Sequence, residues 1–243
     1  MARVQSLRIR EQRGIATLEM NLSAGLFDAD MHADLVAAVE EIQLSDDIRV
    51  VVLRSRGRNF CEGSVSDGPH DGIAALASLR VPVIASLQGK VFDEGLELAL
   101  ACDLRFAASG ARLGMTQLSR GILPSHGGTQ RLPRLIGRGR ATRMVLLSEV
   151  LSARQAEKSG LIHQVEEGAQ LNRKVMAVAR SMATRSPVAQ KLAKEALLAS
   201  GDLPLAEGLR LEGDLYVLSQ STADRDEGLT SFREKRRPKF IGR

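Results

Sequence analysis

Tryptophan is absent from this 243-residue chain, and one Tyr and six Phe bring the aromatics to only 3%. Aliphatic side chains must therefore fill the core, and there is little from which to build stacking platforms for nucleic-acid bases. Cysteine is almost as scarce. Cys61 and Cys102 form neither a CxxC pair nor the framework of a small secreted domain, so no disulfide is expected and a reducing compartment is. Nowhere does the chain approach the roughly 18 consecutive apolar residues of a membrane span, and MARVQSLRIREQRG lacks the apolar stretch of a signal peptide. A soluble, cytoplasmic protein is the expectation. Also missing are a G-x-S-x-G nucleophile elbow, a G-x-x-x-x-G-K-[ST] phosphate loop and a G-x-G-x-x-G fingerprint opening a helix. Nucleotide hydrolysis and dinucleotide redox chemistry lose their main support.

What is present is ordinary for a globular protein: 44% hydrophobic and 26% charged residues, with a net charge of +5. The basic residues are spread along the chain, which suits a phosphorylated small ligand and gives no reason to expect nucleic acid or a membrane as partner. The length fits one large domain, or a domain with a helical appendage.

Apolar periodicity predicts a strand from Val4 to Arg10, a turn at Gln12-Arg13-Gly14 and a strand from Ile15 to Met20. Met31, Leu35, Ala38 and Ile42 recur at helical spacing, with Asp28 or Asp30 placed to cap. Val50–Leu53, Val83–Leu87 and Leu104–Ala107 read as buried strands, with a short helix at Ile73–Leu79. Strand, loop, helix and strand in this order predict a parallel sheet with right-handed crossovers and functional loops at strand ends. From about Thr129 the pattern is helical, interrupted only at Ile162–Val165, with helices expected at Ala169–Ala183, Pro187–Ala199, Leu205–Leu218 and Asp224–Arg236.

Two segments place glycine directly after a buried strand: Phe60-Cys61-Glu62-Gly63-Ser64, and Gln88-Gly89 followed by Glu94-Gly95-Leu96-Glu97. Glycine there lets backbone N–H groups approach a ligand, and a helix N-terminus adds a dipole that favours developing negative charge. Two such donors make an oxyanion hole. Either segment alone also reads as a plain strand-ending turn.

Together these segments resemble the enoyl-CoA hydratase/isomerase (crotonase) superfamily. Phe60 to Val65 is similar to its F-[CS]-A-G-A-D signature, and Gln88 to Asp103 to its N-G-x-A-x-G-G-G-x-E-L-A-x-x-C-D signature. Gly121 to Leu132 resembles G-x-x-P-x-x-G-G-T-Q-R-L, and Glu227 to Phe240 resembles E-G-x-x-x-F-x-E-K-R-x-P-x-F. The resemblance implies an α/β, crotonase-like spiral of ββα repeats over residues 1–190 and a helical C-terminal trimerisation region over 191–243. It implies a homotrimer or dimer of trimers acting on an acyl-CoA thioester, with coenzyme A as part of the substrate, no separate cofactor and no metal. The oxyanion donors it implies are the N–H groups of Ser64 and Glu94. Arg58, Cys61, Glu62, Gly63, Gly89, Lys235 and Lys239 are expected around the substrate and its coenzyme A moiety; Arg54 and Arg56 are further candidates for its phosphates, and solvated surface charge is the alternative for each basic residue.

The departures bear on mechanism. Hydratases of this family use two glutamates to add water across a double bond. Glu97 corresponds to the first, but the position of the second is Gln117, which orients a water or carbonyl and cannot cycle a proton. The three consecutive glycines of the pattern are Asp93-Glu94-Gly95 here, so Glu94 brings a carboxylate to the hole, either as a replacement base coupled to Glu97 or, with Asp93, as a solvated residue at a helix N-terminus. The segment between Gly63 and Pro82 is shorter than the resemblance implies, and Val65 stands where the signature has Asp. His126 is expected as a surface-loop residue, with reach into the pocket as the alternative. His32 lies in a run of alternating acids, which as the start of a capped helix does not form a metal site; His70 and His163 have no partner nearby in sequence. The reactions expected are hydration or dehydration of an enoyl-CoA/3-hydroxyacyl-CoA pair, as in fatty acid metabolism. The alternatives are a double-bond isomerase, decarboxylase or C–C hydrolase on the same platform, or an acyl-CoA-binding scaffold that has lost catalysis.

Overall fold

A computed structural model describes residues 6–64 and 71–243. The chain opens with a hairpin of β1 (Leu7–Gln12) and β2 (Ile15–Met20), paired from Gln12↔Ile15 outward. Arg13 and Gly14, with φ of 52° and 75°, form its two-residue turn, whose left-handed residues match the natural twist of paired strands. The first strand thus runs two residues past its expected end; Val4, its expected start, lies outside the described residues.

After β3 (Leu26–Phe27) comes α1 (Ala29–Leu44), capped by Asp28, whose carboxylate accepts from Met31 N at 2.8 Å. The chain continues through β4 (Val50–Ser55), β5 (Gly63–Ser64), α2 (Gly72–Ala77), β6 (Val83–Leu87), β7 (Lys90–Phe92), α3 (Glu94–Ala101), β8 (Leu104–Ala108) and β9 (Arg112–Gly114). It then forms α4 (Gly128–Ile136), α5 (Arg138–Leu146), β10 (Leu151–Ser152), α6 (Ala153–Lys158), β11 (Gln164–Glu166) and α7 (Gly168–Ala183). The main sheet has the order β1-β2-β4-β6-β8-β11 and is parallel from β2 onward, as the alternation of strand and helix requires.

Both faces of this sheet are covered, which is why its central strands are continuously apolar. Val51, Leu53, Val83, Ala85 and Leu87 point into the main core with α1, α2 and α3. Their alternates Val50, Val52 and Ile84 pack with Ile15 and Phe106 against Leu171, Val175 and Ala179 of α7. The region after Thr129 is less purely helical than expected, since β10 also interrupts it, and β11 is Gln164–Glu166 rather than Ile162–Val165. The short strands β7, β9 and β10 form a second sheet, and β3 pairs with β5 in a third. These small pairings position the site.

Three helices end the chain: α8 (Pro187–Ala199), α9 (Leu205–Gln220) and α10 (Ala223–Arg233). Ser186 caps α8 and Pro187 occupies its first turn, where a missing N–H costs nothing. The expected boundary at 190/191 therefore falls inside α8. Lys194 anchors that helix to the core: buried, it donates to Val81 O at 3.0 Å and lies 2.7 Å from Asp103 Oδ2. Arg49 ties the tail to the sheet by donating to Ala183 O and Phe240 O. In α9 the only buried residue is Leu215, while Leu205, Leu209, Tyr216, Val217 and Leu218 are exposed.

Candidate active site

The two glycine-bearing segments meet as neighbours. Phe60 N donates to Gln88 O at 2.7 Å, Cys61 N to Lys90 O at 3.1 Å, and Phe92 N to Cys61 O at 2.9 Å. This strand-like exchange brings β5 alongside the start of α3. Gly95 makes the approach possible: a Cβ there would stand 2.6 Å from Cys61 Cβ and 2.8 Å from Cys61 O. Gly89 turns at φ 59° against Arg58 O and the Asn59 side chain. Ser64 and Glu94, the two residues expected to supply oxyanion donors, thus sit on adjacent turns at the carboxyl ends of the strands.

Asp93 caps α3 by accepting Leu96 N at 2.9 Å and Glu97 N at 3.0 Å on its carbonyl. Its φ of 54° and ψ of −117° belong to a region that glycine ordinarily fills, and holding another residue there costs about 1–3 kcal/mol. The side chain supplies the restraint. Its carboxylate accepts from Thr116 N at 2.5 Å, lies 3.1 Å from Thr116 Oγ1 through either oxygen, and pairs with Arg120 at 2.5 Å. Asp93 is 1% exposed and Glu94 8%, so the reading of both as solvated helix-terminal residues is overturned.

Glu97, on the same first turn of α3, is completely buried. Its Oε1 accepts from the N–H groups of His126 and Gly128, each at 2.8 Å, and its Oε2 from Gln117 Nε2 at 3.3 Å. Burial pushes its pKa up, while the N–H groups of Gly128, His126 and Ser125 pull the other way by favouring the anion. The pKa of Glu94 is also raised, by burial first. Its own backbone N–H opposes that rise, the charges of Glu97 and Asp93 add to it, and His126 lowers it. Glu94 Oε2 is buried without a hydrogen-bond partner, 3.7 Å from where a Cβ on Gly63 would stand. The carboxyl therefore turns inward between the two turns. Gln117 Oε1 is likewise buried and unpartnered, so two acceptors close to Glu97 are left for a bound molecule.

The remaining candidates are distributed differently. Cys61 is buried, its Sγ 3.3 Å from Gly63 O and its pKa pushed up to about 12 by burial, so it packs as a neutral thiol. Glu62 faces Asn59 and Lys90, and the Lys90 ammonium holds its carboxyl below the usual range. Arg54 pairs with Glu19 at 2.5 Å; Arg56 and Arg58 are exposed. Lys235 and Lys239 are exposed in the C-terminal tail, where Lys239 N donates to Glu227. His126 is not a bare surface residue: its ring lies 5.1 Å from that of the buried His32, which meets Phe27 edge-on. His163 Nδ1 accepts from Arg105 N, and no cluster among the described residues is arranged to hold a metal. Val65 and His70 lie outside the described residues.

Asp93, Thr116 and Arg120 were not legible as a unit. The one available signal was Asp93 standing where the resembling pattern has glycine; nothing in the spacing announces that β9 delivers Thr116 and Arg120 to it.

A parallel α/β core carrying a recessed glutamate beside two amide-bearing turns defines the class of protein. The model of the enoyl-CoA hydratase/isomerase family matches residues 10–243, and the chain belongs to that family. It is 36% identical to mouse (Mus musculus) mitochondrial methylglutaconyl-CoA hydratase over 97% of this chain and 83% of that protein. It is 33% identical to 2,3-dehydroadipyl-CoA hydratase of Escherichia coli K12 over 99% of this chain and all, 100%, of the other. The crystal structure of an enoyl-CoA hydratase from Bacillus anthracis superposes with a TM-score of 0.93 at 32% identity, covering 98% of this chain and 100% of that one. The α/β crotonase fold and its helical C-terminal region are thereby established.

Proposed function

We propose that this protein adds water reversibly across the double bond of a 2-enoyl-CoA thioester. One observation carries the reading: Glu97 is buried, raised in pKa, and oriented by two backbone N–H groups on one oxygen and by Gln117 on the other. This is the arrangement of a base that must accept a proton from water in a nearly dry site. The names of the relatives, hydratases of methylglutaconyl-CoA and 2,3-dehydroadipyl-CoA, support the same chemistry.

In the proposed reaction the N–H groups of Ser64 and Glu94 polarise the thioester carbonyl. Glu97 takes a proton as water oxygen bonds to the β-carbon; the carbon–carbon π pair shifts to join the α-carbon and the carbonyl carbon, and the carbonyl π pair moves onto the oxygen to give the enolate. The Glu94 carboxyl, turned off its own amide by the entering carbonyl, gives its proton to the α-carbon. Glu97 then returns the proton to Glu94 one helical turn away, so the net change is the addition of one water. Gln117 orients water through its free Oε1. Coenzyme A enters as part of the substrate, and the scheme calls on no other cofactor and no metal. Arg58, Cys61, Glu62, Gly63, Gly89, Lys235 and Lys239 remain the proposed surroundings of the thioester and its coenzyme A. The exposed apolar side chains of α9, with Leu197, Leu198 and Phe232, support assembly of the C-terminal helices into a trimer or pair of trimers. A cytoplasmic location is proposed on the sequence alone.

Incubation with crotonyl-CoA and a panel of branched and dicarboxylic enoyl-CoA thioesters, followed by mass spectrometry, tests this. The expected product is heavier by one water. Tight coenzyme A binding without turnover of any thioester overturns the reading in favour of a binding scaffold; loss of carbon dioxide or a shifted double bond overturns it in favour of a decarboxylase or isomerase.

A further inference from the structure

The conformation of Asp93 aims the amide of Glu94. Peptide planarity means that the ψ of Asp93, −117°, fixes the direction of the next N–H group. Glycine reaches that region freely and aspartate does not. Asp93 is nevertheless held there from its side-chain end, by Thr116 N and Oγ1 and by the Arg120 guanidinium at 2.5 Å. Arg120 ends the short 3-10 turn Gln117–Arg120, which also carries the Gln117 that donates to Glu97. A single ion pair therefore joins the turn that orients the buried glutamate to the residue that orients the amide. Arg120 and Glu94 also converge on Gly63, 3.8 and 3.7 Å from its Cβ position, next to Ser64.

We propose that Asp93 and Arg120 are a positioning pair that locks the Glu94 N–H toward the thioester oxygen. The inference rests on the oxyanion hole proposed above. Where the resembling pattern carries a glycine at this turn, this chain carries a strained aspartate with a guanidinium to hold it. Arg120 is itself half-exposed and needs to touch no reacting atom; it acts through Asp93. The carboxylate is almost wholly buried and also accepts from Thr116, so the turn is fixed before substrate arrives.

An aryl-conjugated enoyl-CoA, whose ultraviolet absorption moves to longer wavelength when its carbonyl is polarised, separates this claim from the one beneath it. With the wild-type protein a red shift is expected on binding. With Arg120→Met the red shift should shrink, and kcat for hydration should fall about tenfold to a hundredfold while KM stays within about threefold. Asp93→Gly, which relieves the strained backbone and so keeps the fold, should show the same pattern. Both variants retaining the wild-type red shift and kcat overturns the positioning pair and leaves the oxyanion hole standing. If Arg120→Met does not fold, Asp93→Gly alone decides by the same two measurements. Absence of a red shift in the wild-type protein overturns the oxyanion hole itself, and the pair with it.

Discussion

Gln117 donates its amide hydrogen to Oε2 of Glu97 across 3.3 Å, with both side chains completely buried. An amide in that place can orient the carboxylate but cannot trade a proton with it. Proton transfer there falls to Glu97 and not to Gln117. Glu97→Gln should accordingly lower kcat by about a hundredfold to ten-thousandfold, while binding of an unreactive acyl-CoA analogue changes little. Steady-state kinetics and calorimetry check the two halves. Hydration that survives the substitution removes Glu97 from its assigned role.

The shifted carboxyls give a pH profile of definite sign. Glu97 must be charged to accept a proton, so kcat falls as pH drops through its raised pKa, and the acid limb lies above the ordinary glutamate value of 4.5. Glu94 must be protonated to donate, so kcat falls again as pH rises through its own raised value. The profile is a bell, and Glu94→Gln should remove its alkaline limb while lowering the maximum about a hundredfold. Stability follows the same linkage in the opposite sense to most carboxylates. A folded pKa above the unfolded one contributes stability that is complete below the unfolded value and lost as pH rises through the folded value. Glu94→Gln should therefore raise Tm at about pH 8 and leave it nearly unchanged at about pH 4. An alkaline limb unaltered by the substitution counts against Glu94 as the acid.

How much of this was readable in advance depends on the length of the element concerned. Val83–Leu87 and Pro187–Ala199 appear with the boundaries their residues announce, because a continuous apolar run and a Ser-Pro start are local signals. The strands β3, β5, β7, β9 and β10 span two or three residues each and show no period of their own. They exist because longer strands deliver them to one another. Glu97 was legible only through resemblance to a family, since a glutamate in the first turn of a helix is otherwise an ordinary solvated residue. Its burial depends on the His126 and Gly128 amides of a loop far along the chain. Sequence position does not show which way an acidic side chain beside the hole points: Glu62 turns outward to Lys90, and Glu94 turns inward.

Gly95 carries the close approach of α3 to β5. Gly95→Ala puts a methyl group 2.6 Å from Cys61 Cβ and 2.8 Å from a carbonyl oxygen, and the backbone carrying that oxygen cannot rotate aside. The helix must retreat and take the Glu94 amide with it. A loss of about 1–3 kcal/mol in urea unfolding is expected, together with a fall in kcat. Normal stability and normal kcat together would show that the two turns are not held in register through this contact.

The attachment of the C-terminal helices to the core rests on a different kind of interaction. Lys194 Nζ, almost completely buried, lies 2.7 Å from Asp103 Oδ2 and 3.0 Å from Val81 O, and the same Asp103 oxygen accepts from Val83 N at 2.7 Å. One ammonium thus neutralises a carboxylate that already fixes the start of β6. Lys194→Met fills similar space but leaves Asp103 uncompensated and the Val81 carbonyl without its donor. Breaking one partner of such a buried pair costs about 3 kcal/mol, far more than an exposed ion pair contributes. Asp103 keeps a solvent-facing edge, so added salt should narrow the difference only slightly. The double variant Lys194→Met with Asp103→Asn should recover part of the loss, because an uncharged amide still accepts from Val83 N and no charge is left buried alone. Denaturant midpoints of the two variants, measured at one protein concentration, check the order. A double variant less stable than Lys194→Met would show that Asp103 acts mainly through partners other than Lys194.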